Sequence, residues 1–251
     1  MVSATESKSI ALVTGASRGI GRAAAVALAA SGFHVVLSAR TTGALEEVDD
    51  EIRAAGGSAS ILQLDLTQSG NLDALGPTLY ERWQKLDALV AAGGILGRLS
   101  PLAHLPDEEW DTVMRINLTA NWRLIRSLDP LLRRAEAGRA VFVTSRAARN
   151  IRAYWGAYAV SKAGLEALVK TYAAETAATA VKVNLLDPGP TRTRMRAQAY
   201  PGEDASALKT PDALASYFIE LTSPACTRSG EIIIADKGLA ESAAPDAVHS
   251  K

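Results

Sequence analysis

Within the stretch Ser145 to Lys162, SRAARNIRAYWGAYAVSK, a serine is followed thirteen positions later by a tyrosine and, four positions after that, by a lysine. On a helix, residues i and i+4 share a face one turn apart, so Tyr158 and Lys162 can act on the same small volume. A free phenol has a pKa of about 10, too high to serve as a base near neutrality. An ammonium held nearby favours the phenolate and lowers that pKa. The three residues therefore fit a tuned proton donor or acceptor (Tyr158), its tuner (Lys162) and a hydroxyl that can hydrogen-bond a substrate oxygen (Ser145). Taken alone, Tyr-x-x-x-Lys fits an ordinary packed tyrosine better. The choice rests on what the remaining residues build around it.

The elements that must position this trio alternate along the chain. Short β-branched or leucine-rich runs predict strands at Ile10–Thr14, His34–Ser38, Ala59–Leu64, Ala88–Ala92, Ala140–Thr144, Val181–Leu186 and Glu231–Ala235. Helical patterns lie between them near Gly19–Ala30, Ala44–Ala55, Gly70–Gln84, Asp107–Arg134, Ala157–Ala177 and Pro211–Leu221. Strands alternating with helices predict an α/β fold of parallel βαβ units in a doubly wound sheet. Pro106 before Asp107-Glu108-Glu109, and Pro211 before Asp212, open two of the helices with acids on the positive end. No linker or composition shift divides the 251 residues, so one domain is expected, with loose polar tails at 1–8 and 241–251.

Composition narrows the function classes. A formal net charge of zero gives no global pull toward nucleic acid or a membrane surface. The one cysteine, Cys226, excludes an intrachain disulfide and fits a reducing compartment. The start, MVSATESKS, has no apolar signal-peptide core, and no run of about 18 apolar residues occurs elsewhere. A cytoplasmic protein is expected. His34, His104 and His249 are scattered without metal-ligand spacing, so no metal is assigned.

The first strand runs directly into Thr14-Gly15-Ala16-Ser17-Arg18-Gly19-Ile20-Gly21 and an alanine-rich helix. Gly15 permits a tight turn, and Gly19 and Gly21 let backbone approach a pyrophosphate while the helix packs on the sheet. The helix N-terminus offers N–H groups and a positive end to phosphates. A glycine-rich turn without a ligand is the alternative. About twenty residues on, where an acid would bond a ribose 2′-hydroxyl, the second strand ends in Ala39-Arg40. Arg18 is a second cation within reach of the same phosphate. Two cations and no acid favour NADP(H), with NAD(H) the alternative; two solvated surface arginines would also account for them. Asp65, in Leu64-Asp65-Leu66, is placed either to accept from an adenine amino group or to cap a strand-end turn.

These residues resemble the short-chain dehydrogenase/reductase family, in the family's motif order, from about Ser9 to Gly238, and Trp155–Tyr158 with Pro188–Thr193 also resemble a bacterial oxidoreductase subgroup. The Gly-rich motif is Thr14–Gly21, the asparagine is Asn117 in Met114-Arg115-Ile116-Asn117-Leu118, and the Pro-Gly motif is Pro188-Gly189. The resemblance implies a single-domain Rossmann-type sheet of about seven strands with helices on both faces. It also implies an oxidoreductase passing hydride between NADP(H) and a carbonyl or secondary alcohol. Tyr158 would be the general acid/base, Ser145 the oxygen holder, and Lys162 the ribose binder that lowers the tyrosine pKa. Asn117 would keep a water in a proton relay. The cofactor would meet Gly15, Ser17, Arg18, Gly19, Ile20, Gly21, Arg40, Asp65, Leu66, Ala91, Gly93, Tyr158, Lys162, Pro188, Gly189, Thr191 and Thr193. One motif departs: Ala91-Ala92-Gly93-Gly94 stands where the family usually has Asn-Asn-Ala-Gly.

Further features go beyond that pattern. Arg146, Arg149 and Arg152, with Arg192, Arg194 and Arg196, suggest a positive cleft mouth suited to an anionic substrate; arginines paired with acids or with partner subunits are the alternative. The polar segment Thr193 to Thr210 reads as a lid or as surface loop, with Trp155 and Tyr200 as aromatic walls. The Ala157–Ala177 helix is apolar on nearly all sides, which suggests a homodimer or homotetramer through it and Asp107–Arg134, or an alanine-rich surface helix in a monomer. A dinucleotide-binding sensor without turnover needs none of Ser145, Tyr158 and Lys162, and a methyltransferase needs no Tyr-x-x-x-Lys. A reductase or dehydrogenase of small carbonyl or alcohol substrates is the favoured reading.

Overall fold

The first strand, β1 (Ile10–Thr14), is buried at all five residues. Such a run is stable only where both faces of a sheet are covered. The computed structural model describes residues 8–235, so Glu241–Lys251 and all of the N-terminal tail except Lys8 lie outside the described residues. It shows seven strands: β1, β2 (His34–Ala39), β3 (Ser58–Gln63), β4 (Ala88–Ala91), β5 (Arg139–Val143), β6 (Lys182–Asp187) and β7 (Ile232–Ile234). Every pairing is parallel, in the order β3-β2-β1-β4-β5-β6-β7. The order reverses between β1 and β4. In open α/β sheets that reversal leaves a crevice beyond the carboxyl ends of the strands, where ligands bind.

Eight α-helices are described: α1 (Gly19–Ala30), α2 (Thr42–Ala54), α3 (Ser69–Trp83), α4 (Asp107–Met114), α5 (Ala120–Leu132), α6 (Gly156–Glu175), α7 (Arg194–Ala199) and α8 (Ala215–Thr222). Alternation along each strand sends neighbours to opposite sides. Leu12 joins the core formed with Leu72, Leu75, Leu124, Leu128, Leu165 and Val169 of α3, α5 and α6. Val13 joins the core formed with Leu28, Leu45, Val48, Ile52, Phe218 and Leu221 of α1, α2 and α8. The sheet is therefore the middle layer of three.

Two expectations change. The helix expected over Asp107–Arg134 is divided by a wide π turn at Arg115–Thr119, which contains Asn117. The extra residue re-aims the side chains there, and such turns recur at functional sites. The segment Thr193 to Thr210 is not plain loop, because Thr193 caps α7 by accepting from the Arg196 N–H at 3.1 Å. An N-cap hydroxyl satisfies one of the orphan donors of a first turn, which gives this short helix a defined start.

Candidate active site

The register Thr14↔Ser38 and Ser38↔Leu62 lines up the ends of β1, β2 and β3, so Gly15, Arg40 and Asp65 leave the sheet along one edge. Gly15 has φ +69°, and a Cβ there would stand 2.9 Å from the Gly93 backbone; a Cβ on Gly21 would lie 2.2 Å from the Gly15 carbonyl. Only glycine allows the two passes. The Ala16 N–H is taken by the Ser38 carbonyl at 3.1 Å, which pins the loop to β2. No described side chain caps α1, whose first-turn N–H groups remain for an anion. This backbone cradle fits a dinucleotide pyrophosphate. Arg18 and Arg40 are exposed beside it, and neither pairs with an acid among the described residues. Asp65 accepts from the Thr67 N–H and hydroxyl, both at 2.9 Å, so one of its oxygens caps the turn after β3.

Ser145 follows β5 and caps a single 3₁₀ turn by accepting from Ala147 N–H. Tyr158 and Lys162 sit one turn apart on α6, 7% and 5% exposed. Lys162 Nζ donates to the Val143 carbonyl at 2.8 Å, at the edge of the strand that leads to Ser145. Burial pushes the Tyr158 phenol up to about 12, with a hydrogen bond from Ser145 pulling it back and the Asp187 charge adding to the rise. Burial pushes Lys162 down to about 8, opposed by the Glu166 charge. This corrects the expectation that Lys162 holds the phenol low. In this dry site desolvation dominates, and Ser145 is the group that favours the phenolate.

Asn117 is completely buried. Its Oδ1 accepts from the Ile95 N–H at 2.9 Å, and its Nδ2 donates to the Ile95 carbonyl and to Ser161 Oγ. The side chain thus ties the loop after β4 to α6, a bracing part beyond the water-holding one expected. The same loop is fastened on its other side by the Gly93 N–H, which donates to Thr14 Oγ1 at 3.3 Å. These two contacts hold the Ala91-Ala92-Gly93-Gly94 segment without the family's asparagine pair. Gly94 lies against both groups: a Cβ there would be 3.3 Å from Asn117 Oδ1 and 3.6 Å from Lys162 Nζ.

One cavity joins Ile20 of the glycine loop to Ser145, Tyr158, Lys162, Pro188, Gly189, Thr191 and Thr193. Four adjustments follow from its lining. Ala92 and Gly94 face the cavity, whereas Ala91 is buried in β4 and Gly93 packs on Gly15 and Leu66. Thr191 is buried, its hydroxyl donating to the Pro188 carbonyl. Thr193 reaches the glycine loop, its Cγ2 lying 3.6 Å from where a Gly19 Cβ would stand. Gly15, Ser17, Arg18, Arg40, Asp65 and Leu66 lie outside this cavity, toward the β1–β3 edge.

The outer wall was only partly anticipated. Trp155 packs against Tyr158 and Tyr200, with ring centroids 5.9 and 5.7 Å apart, and Leu96, Met195 and Ala199 complete an apolar surface. Arg152 donates to the Tyr200 hydroxyl at 2.9 Å, and the Arg196 guanidinium lies 3.8 Å from the Tyr200 ring centroid. The positive mouth is weaker than expected. Arg196 is paired with Glu203, and Arg149 turns inward to pair with Glu166 and Asp187. Arg192 and Arg194 are exposed and do not line the cavity, whereas Arg146, Arg152 and Arg196 do.

Residues 9–204 match the family model for short chain dehydrogenase. The chain is 39% identical over 205 residues to the uncharacterized oxidoreductase YciK of Escherichia coli K12, covering 80% of this chain and 81% of that protein. A short chain dehydrogenase structure from Pseudomonas syringae is similar with a TM-score of 0.86 at 41% identity, over 90% of this chain and 94% of that one. Another, from Shigella flexneri 2a and complexed with NADP, is similar with a TM-score of 0.87 at 36% identity, over 91% and 97%.

Proposed function

The chain belongs to the short-chain dehydrogenase/reductase family, and from that premise we propose that it is an NADPH-dependent reductase of ketones or aldehydes, with Tyr158 as the proton donor. The observation that carries this reading is the Ser145–Tyr158–Lys162 group, its phenol and amine buried, opening onto the same cavity as Ile20 of the glycine loop. A phenol pushed up to about 12 keeps its proton at neutrality, which suits donation to a carbonyl oxygen. When bound, NADPH supplies the hydride that the carbonyl carbon receives.

The residues of this chain do the rest. Gly15, Gly19 and Gly21 shape the backbone for the pyrophosphate, and Arg18 and Arg40 meet a 2′-phosphate, a preference supported by the NADP-bound relative. Asp65, its turn held by Thr67, offers its carboxylate to the adenine end. Pro188, Gly189, Thr191 and Thr193 form the nicotinamide side of the cavity. Ser145 holds the carbonyl oxygen, and Tyr158 gives it a proton as negative charge develops. Lys162 stabilises the resulting phenolate and holds the cofactor ribose. Asn117, through Ile95 and Ser161, fixes the wall beside Lys162. Donors preset in this way typically contribute a few kcal/mol, a hundredfold or more in rate.

The apolar wall of Trp155, Tyr200 and Leu96 suits a flat, largely apolar substrate body, and Arg146 and Arg152 suit an acidic group at its outer end. The assembly we propose is a homodimer or homotetramer through α5 and α6, which expose Trp122 and Val160 at 42% and 44%. Among the described residues no helix is long and apolar enough to cross a membrane, in keeping with a cytoplasmic site of action.

The test is a fluorescence titration with NADPH and NADH, followed by a panel of neutral and anionic carbonyl compounds at low and high salt. Tighter NADPH binding and turnover that favours anionic members at low salt are expected. Binding without turnover of any member would leave a dinucleotide sensor; no binding at all would overturn the assignment.

A further inference from the structure

Arg149 was expected at the cleft mouth, yet its guanidinium points into the protein. One Nη bonds Glu166 Oε1 and the other bonds Asp187 Oδ2. The side chains of Glu166 and Asp187 are only 9% and 1% exposed. Each carboxylate has a second donor: the Thr144 hydroxyl reaches Glu166 Oε1 at 2.8 Å, and the Gly189 N–H reaches Asp187 Oδ1 at 3.0 Å.

The positions of these partners matter more than their number. Thr144 precedes Ser145, Glu166 lies one turn beyond Lys162 on α6, and Asp187 leads into Pro188-Gly189. A single planar cation thus spans the serine loop, the helix that presents the phenol and amine, and the loop on the nicotinamide side. Buried carboxylates this close together repel unless a cation with fixed geometry lies between them. A guanidinium fork supplies two directed donors to two acceptors, which an ammonium does not match.

On the reductase reading above, we propose that Arg149 is a positioning residue: by bridging Glu166 and Asp187, it holds the phenol-bearing helix and the Pro188-Gly189 loop in register. Its removal lets either element move, and a displacement of about 1 Å at reacting atoms costs up to about a hundredfold in rate. A purely structural ion pair would instead lower the melting temperature and leave turnover per folded molecule alone.

The experiment compares Arg149→Met, Arg149→Lys, Asp187→Asn and the double variant R149M/D187N in the intact chain. It reads kcat, KM, the NADPH dissociation constant and the thermal midpoint. We expect R149M to lower kcat about tenfold to a hundredfold and to weaken NADPH severalfold, with little change in KM for the carbonyl compound. R149K should recover only a small part. In the double variant the two losses should not multiply, because both break one bridge. A folded R149M with kcat and NADPH affinity within twofold of the parent overturns the proposal, as do losses that multiply. Should R149M not fold, the near-isosteric D187N carries the test: a loss of at least about fivefold in kcat supports it, and parental values overturn it. A parent without turnover on any carbonyl compound would refute the reductase reading itself. The bridge is then still read by NADPH affinity, which must weaken in R149M or D187N.

Discussion

The Lys162 ammonium lies 6.0 Å from the centre of the Tyr158 ring, and both side chains are almost wholly withdrawn from water. Burial drives their proton affinities apart, the phenol up to about 12 and the ammonium down to about 8. In the ligand-free chain the amine is therefore the group that titrates first.

A pH profile follows from that order. Below about 8, Lys162 carries its charge and Tyr158 its proton, the pair that reduction requires. Above about 8 the amine becomes neutral and the developing phenolate loses its stabilising charge. We predict that kcat/KM for carbonyl reduction is level from pH 6 to near 8 and declines above it, by at most about tenfold per pH unit. A rate that climbs steadily from pH 8 to 10 would contradict this assignment.

The same shift has a signed effect on stability. Lys162 has a folded pKa of about 8 against an ordinary value of 10.5, so between these values the unfolded chain binds more protons. Stability from this group must then rise with pH across that window. Urea unfolding of the parent and of Lys162→Met at pH 7.5 and 10 would show the parent gaining relative to the variant. The reverse change would refute the buried-amine account.

Cofactor choice should reside in Arg18 and Arg40. A charge-assisted hydrogen bond contributes about 1.5–3 kcal/mol, so Arg18→Ala and Arg40→Ala should each weaken NADPH about tenfold to a hundredfold and leave NADH nearly unchanged. Arg40→Asp should reverse the preference. Paired titrations with the two nucleotides provide the check.

At the glycine loop, Gly15→Ala combines φ +69° with a Cβ 2.9 Å from the Gly93 backbone. The strained dihedral alone costs about 1–3 kcal/mol, and the loop must also shift to relieve the contact. Thermal melts should show the loss, with NADPH binding reduced as well. Gly70→Ala, where a Cβ would meet nothing within 4 Å, is the control that should keep both properties.

The aromatic wall predicts a different signature. Tyr200 rests on Trp155 and is held by Arg152 at 2.9 Å. An aromatic pair contributes about 0.5–1.5 kcal/mol beyond its area, so Tyr200→Ala should raise KM about twofold to tenfold. NADPH affinity should be unchanged, since Tyr200 lies at the outer wall. Equal losses in both constants would place Tyr200 in cofactor binding instead.

Much of this architecture was legible in the residues themselves. Short apolar runs separated by helical patterns gave all seven strands, within one residue at every end, because strands buried on both faces leave a continuous apolar signature. The glycine turn and the Ser145–Tyr158–Lys162 spacing were equally readable, since both depend on residue type at fixed intervals. The π turn at Asn117 was not, because one extra residue per turn leaves the helical pattern almost intact. Nor was the inward course of Arg149: three arginines in one loop look alike until the positions of Glu166 and Asp187 in space are known. Glu166 could have been noticed, four residues past Lys162 on the same helical face. The relative proton affinities of Tyr158 and Lys162 depend on burial, which spacing does not reveal.

The most direct test of the central claim is a single-turnover measurement of NADPH oxidation with a reactive carbonyl compound, comparing the parent with Tyr158→Phe at matched nucleotide occupancy. The account predicts that Y158F binds NADPH as the parent does and loses at least about a hundredfold in the chemical step. A Y158F chain that oxidises NADPH within a few-fold of the parental rate would contradict it.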